Sequence, residues 1–265
     1  MLSLSNCRTA LGGGARSAVE GENSVFALTI AGGRGERLKP VTDTLPKAMV
    51  PINGRPLLSY QIEWMRANGV TDVVFLCGYL GEKIEEFVGD GEKLGIRAHY
   101  SIEQTPLGRG GAVRKGLSTV PDDEELVLVV NGDIVTDQPV ADLVSLHRDK
   151  NAIATMTVVP YPSQYGIVEV ADDGLVTSFV EKGKLPSWIN AGVYIFDRSI
   201  ESLLPHQGDH ETTTFVALAS QRKLAALKST AFWMSVESPK DVREVGERLS
   251  KSASAARPVR RLGRS

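Results

Sequence analysis

Val25-Phe26-Ala27-Leu28-Thr29-Ile30-Ala31-Gly32-Gly33-Arg34-Gly35-Glu36-Arg37-Leu38-Lys39-Pro40 is the stretch on which the fold turns. Val25 to Ile30 form an apolar run of strand length, the pattern of a buried strand. Three glycines follow, where backbone can turn sharply and approach a ligand with no Cβ in the way. Arg37, and Lys47 beyond it, have no nearby run of acids to neutralise them. A strand that empties into a glycine loop with flanking cations predicts a phosphate site: turned N–H groups form an anion nest and the cations complete the charge balance. An ordinary strand-to-turn linker carries the same glycines, so they do not decide alone. Two familiar phosphate motifs are excluded. The dinucleotide fingerprint needs a third glycine that Gly33-Arg34-Gly35-Glu36-Arg37-Leu38 lacks, and Walker A needs a Gly-Lys-Ser/Thr that is absent here.

Outward from this stretch, 265 residues allow one large α/β domain or two small ones. With 42% hydrophobic and 23% charged residues, a packed domain is expected. A net charge of −2 implies no basic face, so nucleic acid is not an expected partner. No apolar run approaches the roughly 18 residues of a membrane helix, and the first residues lack a signal-peptide core. The only cysteines are Cys7 and Cys77, which points to a reducing cytoplasm and away from a disulfide or zinc framework.

Residues 1–24 are rich in Ser, Gly and Ala and are expected to be a flexible extension; residues 250–265 end in Arg257, Arg260, Arg261 and Arg264 and read as a basic flexible tail. The domain is expected over 25–249. Its first half, 25–150, alternates strands with helices: Asp72–Cys77 and Leu126–Val130 read as strands, Leu80–Val88, Leu107–Leu117 and Val140–Arg148 as helices. Ala48–Ile52 reads as extended, with Pro56 as the first residue of the helix that follows. After 150 the pattern shifts toward antiparallel strands, with Asp172-Asp173-Gly174 as a hairpin turn, a helix near Glu211–Gln221, and a last helix Val242–Leu249 opened by Ser238-Pro239. An α/β fold with a mainly parallel sheet results.

Three further constellations carry chemistry. Asn131-Gly132-Asp133 ends the apolar strand 126–130, at the carboxyl edge where the loop after Ile30 also lies; an acid there can hold Mg²⁺ against phosphates, or simply end a strand in a turn. Glu103-Gln104-Thr105-Pro106-Leu107-Gly108-Arg109-Gly110-Gly111-Ala112 is a second glycine turn opening a helix, either a place for a flat base against backbone or a helix start eased by glycine. A carboxylate at Glu103 would accept from both N1–H and N2–H₂ of guanine. Tyr165-Gly166-Ile167-Val168, Glu181-Lys182 and Asn190-Ala191-Gly192-Val193-Tyr194 form the third. Trp64, Trp188 and Trp233 read as packing residues, and the histidines show no ligand spacing.

The string Gly-Gly-x-Gly-x-Arg-Leu-x-Pro-x-Thr-x-x-x-Pro-Lys, residues 32–47, closely resembles the signature of the sugar-1-phosphate nucleotidyltransferases, and Pro-Leu-Gly-x-x-Gly-Ala is similar to their guanylyltransferase branch. The resemblance covers Val25 to Leu249. It implies a Rossmann-like three-layer α/β/α fold with a mixed, mainly parallel sheet and an antiparallel sugar-binding subregion. It implies Mg²⁺ as cofactor and the joining of an NTP to a sugar or cyclitol 1-phosphate with release of pyrophosphate. Carried over residue by residue, Ala31, Gly32, Gly33, Gly35, Glu103, Gly108 and Gly132 bind the nucleotide. Arg37, Lys47, Asp133 and Lys182 carry catalysis, Asp133 is the metal ligand, and Gly166, Glu181, Lys182 and Asn190 bind the sugar phosphate. One departure stands out. The family's Trp-x-Asp-x-Gly-Thr-Pro is Trp233-Met234-Ser235-Val236-Glu237-Ser238-Pro239 here, with Ser235 where a second metal-binding Asp is expected. Glu237, two residues on and so on the same side of an extended strand, is the candidate replacement; the alternative is a metal resting on Asp133, phosphates and water. This departure keeps open a non-catalytic nucleotide-sugar-binding regulator; dTTP, UTP or CTP as the nucleotide is a further alternative. A homo-oligomer is compatible with the sequence.

Overall fold

The structure, a computed structural model, describes residues 26–163 and 165–255. Val25, the extension 1–24 with Cys7, and the arginine-rich end therefore lie outside the described residues. In chain order, β1 (Phe26–Ile30) is followed by the small hairpin β2 (Pro51–Ile52) and β3 (Arg55–Pro56), then α1 (Leu57–Ala67). β4 (Asp72–Cys77), α2 (Gly81–Val88), β5 (Arg97–Ile102), α3 (Gly108–Leu117) and β6 (Leu126–Asn131) alternate. Next come β7 (Ile134–Thr136), α4 (Val140–Lys150), β8 (Ala154–Pro162) and the ribbon β9 (Ile167–Val170) with β10 (Val176–Val180). The long β11 (Lys184–Asp197), α5 (Thr214–Ser220), β12 (Leu224–Lys228), β13 (Trp233–Ser235) and α6 (Pro239–Ala255) complete it.

Seven strands form one sheet in the order β12-β8-β11-β6-β1-β4-β5. β1 runs parallel to β4 and β6, β4 parallel to β5, and β12 parallel to β8; β11 alone is reversed, antiparallel to β6 and β8. The expected mixed, mainly parallel sheet is what forms. Side chains alternate across it. Val127 and Val129 of β6 join Leu28, Leu76 and Tyr194 under α3 and α5, while Leu128 and Val130 join Phe75 and Ile195 under α1, α2 and α4. Both faces of the sheet are thus covered, which is why β6 is apolar from Leu126 to Val130 and β1 carries only one polar residue, the buried Thr29. A third, smaller core of Leu38, Ile52, Leu57, Val135, Val236 and Val245 fixes α6 beside the first loop.

The strand order sets the site. From β1 the chain steps outward to β4 and β5, then returns through α3 to β6 on the other flank of β1. Ile30 and Asn131 are register partners at the carboxyl ends of β1 and β6. The connections leave these two strands in opposite directions, so a crevice opens there.

Four local expectations shift. Residues 47–49 form a 3-10 turn, closed by Met49 N–H on the Pro46 carbonyl at 2.8 Å, and only Pro51–Ile52 is strand. Pro56 keeps an extended ψ of 138° and caps α1 from outside. The helix expected from Glu211 begins at Thr214, because Asp209 Oδ1 accepts from Glu211 N–H and holds that stretch in a turn. α6 runs on through Ala255, so the boundary drawn at 249 falls inside a helix; Asn53 Nδ2 donates to the Gly246 carbonyl and to Ser250 Oγ there. Among the described residues no helix is long and apolar enough to cross a membrane.

Candidate active site

The loop after β1 is held at both sides. Ala31 N–H donates to the Leu76 carbonyl (3.0 Å), and Tyr79 N–H to that of Gly32 (3.3 Å). Gly32 lies back to back with Gly78, where a Cβ on Gly32 would stand 3.2 Å from Gly78 N. On the β6 side Gly132 N–H donates to the Ile30 carbonyl at 2.8 Å, an approach that would bring a Cβ on Gly132 to 2.5 Å of that oxygen. Gly35 takes φ 62°, and its carbonyl accepts from Thr42 Oγ1 at 2.8 Å. Thr42 therefore folds the chain back, so that Lys47 returns to the loop it left. α1 contributes Gln61, whose Nε2 donates to the carbonyls of Asn131 (2.8 Å) and Ile134 (2.9 Å) and shapes the Asn131-Gly132-Asp133 turn.

A cleft of about 480 Å³ results, lined on one wall by Ala31, Gly32, Gly33, Gly35, Arg37 and Lys47 and on the others by Glu103, Gly108, Gly132 and Asp133. Every residue expected at the nucleotide side borders it. At its mouth four charges meet. Lys47 Nζ bonds Asp133 Oδ2 at 2.5 Å and Glu237 Oε1 at 2.8 Å, and Arg37 Nη2 reaches Glu237 Oε2 at 2.7 Å. Glu237 borders this cleft, whereas Ser235 lines a separate groove of about 410 Å³ with Trp233, Met234 and Asp241. Glu237 is placed here beyond the end of β13, where the Val236 N–H is fixed on the Asp133 carbonyl at 2.7 Å. The donor set fits a magnesium ion: two carboxylates converge on one point beside the glycine-walled cleft, and Mg²⁺ takes one or two carboxylates with phosphates and water.

The glycines of the second turn also meet a packing demand. A Cβ on Gly108, Gly110 or Gly111 would press within 2.5–2.7 Å on Gly208 O, Pro205 Cγ or His206 O. The Gly208 carbonyl accepts from Gly110 N–H (2.9 Å) and Gly111 N–H (3.4 Å), capping α3 from within the protein. These glycines admit the 205–210 segment. Glu103 borders the cleft, but one of its oxygens accepts from Leu107 N–H at 3.1 Å, and only the other is without a partner among the described residues.

Arg109, which sequence reasoning passed over, also lines the cleft. Its Nε donates to Asp209 Oδ2 (3.0 Å), its Nη2 to the same carboxylate, and its Nη1 to Glu211 Oε1 at 2.7 Å. Burial works against charge on Arg109 and on Asp209, yet their mutual bond prevails: the first pKa is raised and the second lowered. Glu211 also accepts from Tyr194 Oη and Asn190 Nδ2, both at 3.0 Å. No local motif marks Asp209 and Glu211; their partner is 100 residues away.

The sugar-side residues are placed apart. Asn190 spends its amide on Tyr194 and Glu211 and accepts from Gly192 N–H at 3.1 Å, steadying the turned backbone at Gly192 (φ 71°). Glu181 and Lys182 are exposed on the turn between β10 and β11, with no ion pair among the described residues, and Lys182 takes φ 53°. Gly166 sits beside them, where a Cβ would meet the Phe179 ring at 2.6 Å. None of the four borders the 480 Å³ cleft.

Known proteins share this arrangement of sequence and fold. The family model described as nucleotidyl transferase matches residues 26–252. The mannose-1-phosphate guanylyltransferase catalytic subunit beta of Drosophila pseudoobscura pseudoobscura is 35% identical over 225 residues, 83% of this chain and 61% of that protein. A probable mannose-1-phosphate guanylyltransferase 2 of Oryza sativa subsp. japonica is 36% identical over 223 residues, covering 81% and 62%. The chain thus spans about three-fifths of the length of these curated relatives. Among solved structures, HddC from Yersinia pseudotuberculosis complexed with GMP-PN superposes with a TM-score of 0.66 at 26% identity, over 85% of this chain and 99% of that one.

Proposed function

Because the chain belongs to the nucleotidyl transferase family, we propose that it joins a nucleoside triphosphate, GTP by preference, to a sugar or cyclitol 1-phosphate, releasing pyrophosphate. The observation that carries this reading is the meeting of Arg37, Lys47, Asp133 and Glu237 at the mouth of a glycine-walled cleft. An oxygen of the sugar phosphate attacks the α-phosphorus, the bond to the β-phosphate oxygen breaks, and pyrophosphate leaves with both electrons of that bond. No protein nucleophile is needed, since positioning and charge neutralisation carry most of such a transfer.

The turned N–H groups of the loop hold the triphosphate. Arg37 offers a planar fork to two oxygens of the departing pyrophosphate. Lys47 reaches the α-phosphate and the attacking phosphate, and the free oxygen of Glu103 accepts from guanine. A Mg²⁺ ion held by Asp133 and Glu237 would neutralise phosphate charge as a Lewis acid. Lys182 takes the sugar phosphate and Glu181 the sugar hydroxyls, beside Gly166 and Asn190; this requires the β10–β11 turn to approach the cleft when the second substrate binds. The names of the relatives make mannose 1-phosphate the first sugar to test. A reducing cytoplasm suits the low cysteine content.

Pyrophosphate release should be measured with GTP, dTTP, UTP and CTP, each with Mg²⁺ and a panel of sugar 1-phosphates. Turnover fastest with GTP is the expected result. Tight nucleotide binding without turnover on any pair would replace the enzyme by a nucleotide-sugar-binding regulator, the reading that Ser235 keeps open. A faster reaction with UTP or dTTP would refute the role given to Glu103.

A further inference from the structure

Glu237 has both carboxylate oxygens committed, Oε1 to Lys47 at 2.8 Å and Oε2 to Arg37 at 2.7 Å. Asp133 is held by the same Lys47 ammonium at 2.5 Å. The two cations suited to triphosphate and the two carboxylates suited to a divalent ion therefore neutralise one another. Lys47 is tightly enclosed, with 14% of its side chain exposed, so its ammonium takes up the space between the carboxylates. A divalent cation cannot join the same oxygens while an ammonium lies between them, because like charges a few ångströms apart repel strongly in such a site.

The geometry points to an exchange of partners at Glu237, resting on the nucleotide-transfer reading above. Without nucleotide, Glu237 keeps Arg37 and Lys47 in check and closes the metal seat. A triphosphate draws both cations onto its own oxygens, and this frees Glu237 and Asp133 together for the divalent ion. Nucleotide and metal then each bind poorly alone and well together. The carboxylate that takes part is the one at 237, which faces the cleft, and not the position of Ser235, which lines another groove. Coupling of this kind is reciprocal, so it can be read from either ligand.

Two binding measurements on the full chain test it, neither needing turnover. In the first, free Mn²⁺ is followed by electron paramagnetic resonance without nucleotide. Lys47→Met should tighten Mn²⁺ binding by about tenfold or more, Glu237→Gln added to that variant should abolish the gain, and Ser235→Ala should change nothing. In the second, GTP is titrated calorimetrically in EDTA, where Glu237→Gln should bind GTP about tenfold more tightly than the unmodified chain because its cations are released. Mn²⁺ affinity unmoved by Lys47→Met, or a gain that survives Glu237→Gln, overturns the exchange, as does equal GTP affinity in the two chains in EDTA. GTP that binds to none of the variants would instead count against the nucleotide-transfer reading, and the Mn²⁺ titrations would still decide the exchange.

Discussion

Lys47 has the most tasks of any single residue in this protein. It lies 17 residues beyond the end of β1, and the Thr42 bond to the Gly35 carbonyl folds it back against the loop. Among the described residues its ammonium is the one ion-pair partner that Asp133 and Glu237 share. Lys47→Met should lower kcat/KM for nucleotidyl transfer on the order of 100-fold, as expected when one preorganised donor to a charged transition state is removed. Steady-state kinetics with saturating and limiting GTP would check it; a loss confined to KM would mean that Lys47 only helps to bind. Arg37, with three-quarters of its side chain exposed, is expected to affect pyrophosphate departure more than folding.

At the scale of elements, the joint between α5, β11 and the 205–211 segment is notable for His210. It is fully buried against Tyr194, Phe196 and Phe215, with its ring centroid 4.8 Å from that of Phe215, and neither ring nitrogen has a hydrogen-bond partner among the described residues. Burial pushes its pKa down to about 4. In the unfolded chain the same imidazole titrates near 6.5, so between pH 6.5 and about 4 the unfolded state takes up a proton that the folded state refuses. Folding stability is unaffected above that window and should fall by on the order of 3 kcal/mol as pH drops through it. Urea midpoints measured from pH 7 to 4 would show the slope, and His210→Leu should flatten it.

This joint also marks where sequence stops being informative. The nucleotide side was legible because its members sit within short strings: Gly32 to Lys47, and Asn131 to Asp133. Glycines 108, 110 and 111 were visible, and Gly108 borders the cleft, but their second task, admitting the 205–210 segment, has no local pattern to announce it. Arg109 and Glu211 meet only through the tertiary fold. Ser235 and Glu237 are two residues apart, and an extended chain would put them on one side; β13 ends at Ser235, and the irregular chain beyond it, fixed at Val236 on the Asp133 carbonyl, sends them to different grooves. The strands at the sheet centre, β1, β4 and β6, were readable because strands buried on both faces must be largely apolar along their length.

For the whole molecule, order is unevenly distributed. The sheet centre is sealed on both faces, whereas the β9–β10 ribbon pairs only with itself and leaves Tyr165, Val170, Val176 and Phe179 at least 60% exposed. A lone two-stranded ribbon is marginal in water. Amide hydrogen exchange should therefore be fastest in 167–180 and slowest in β1 and β6. Adding GTP, Mg²⁺ and the cognate sugar 1-phosphate should slow the ribbon, since Glu181 and Lys182 lie at its base. Ribbon amides indifferent to both ligands would argue that the β10–β11 turn takes no part in binding sugar.

The Gly208 carbonyl seated on the first N–H groups of α3 has a consequence for the medium in which the protein works. Two of that helix end's donors, Gly110 and Gly111 N–H, are thereby taken up by the protein itself, which lessens its pull on a phosphate. Beside the turned loop, attraction for a triphosphate rests on two side-chain cations, one of them largely in solvent. Charges so placed are open to screening by buffer ions. Raising ionic strength from about 0.01 to about 0.15 M, which shortens the screening length from about 30 to about 8 Å, should weaken GTP binding several-fold. Sulfate and inorganic phosphate, which can occupy the same guanidinium and ammonium, should weaken it more than chloride at equal ionic strength, and calorimetric titrations in matched salts would rank them.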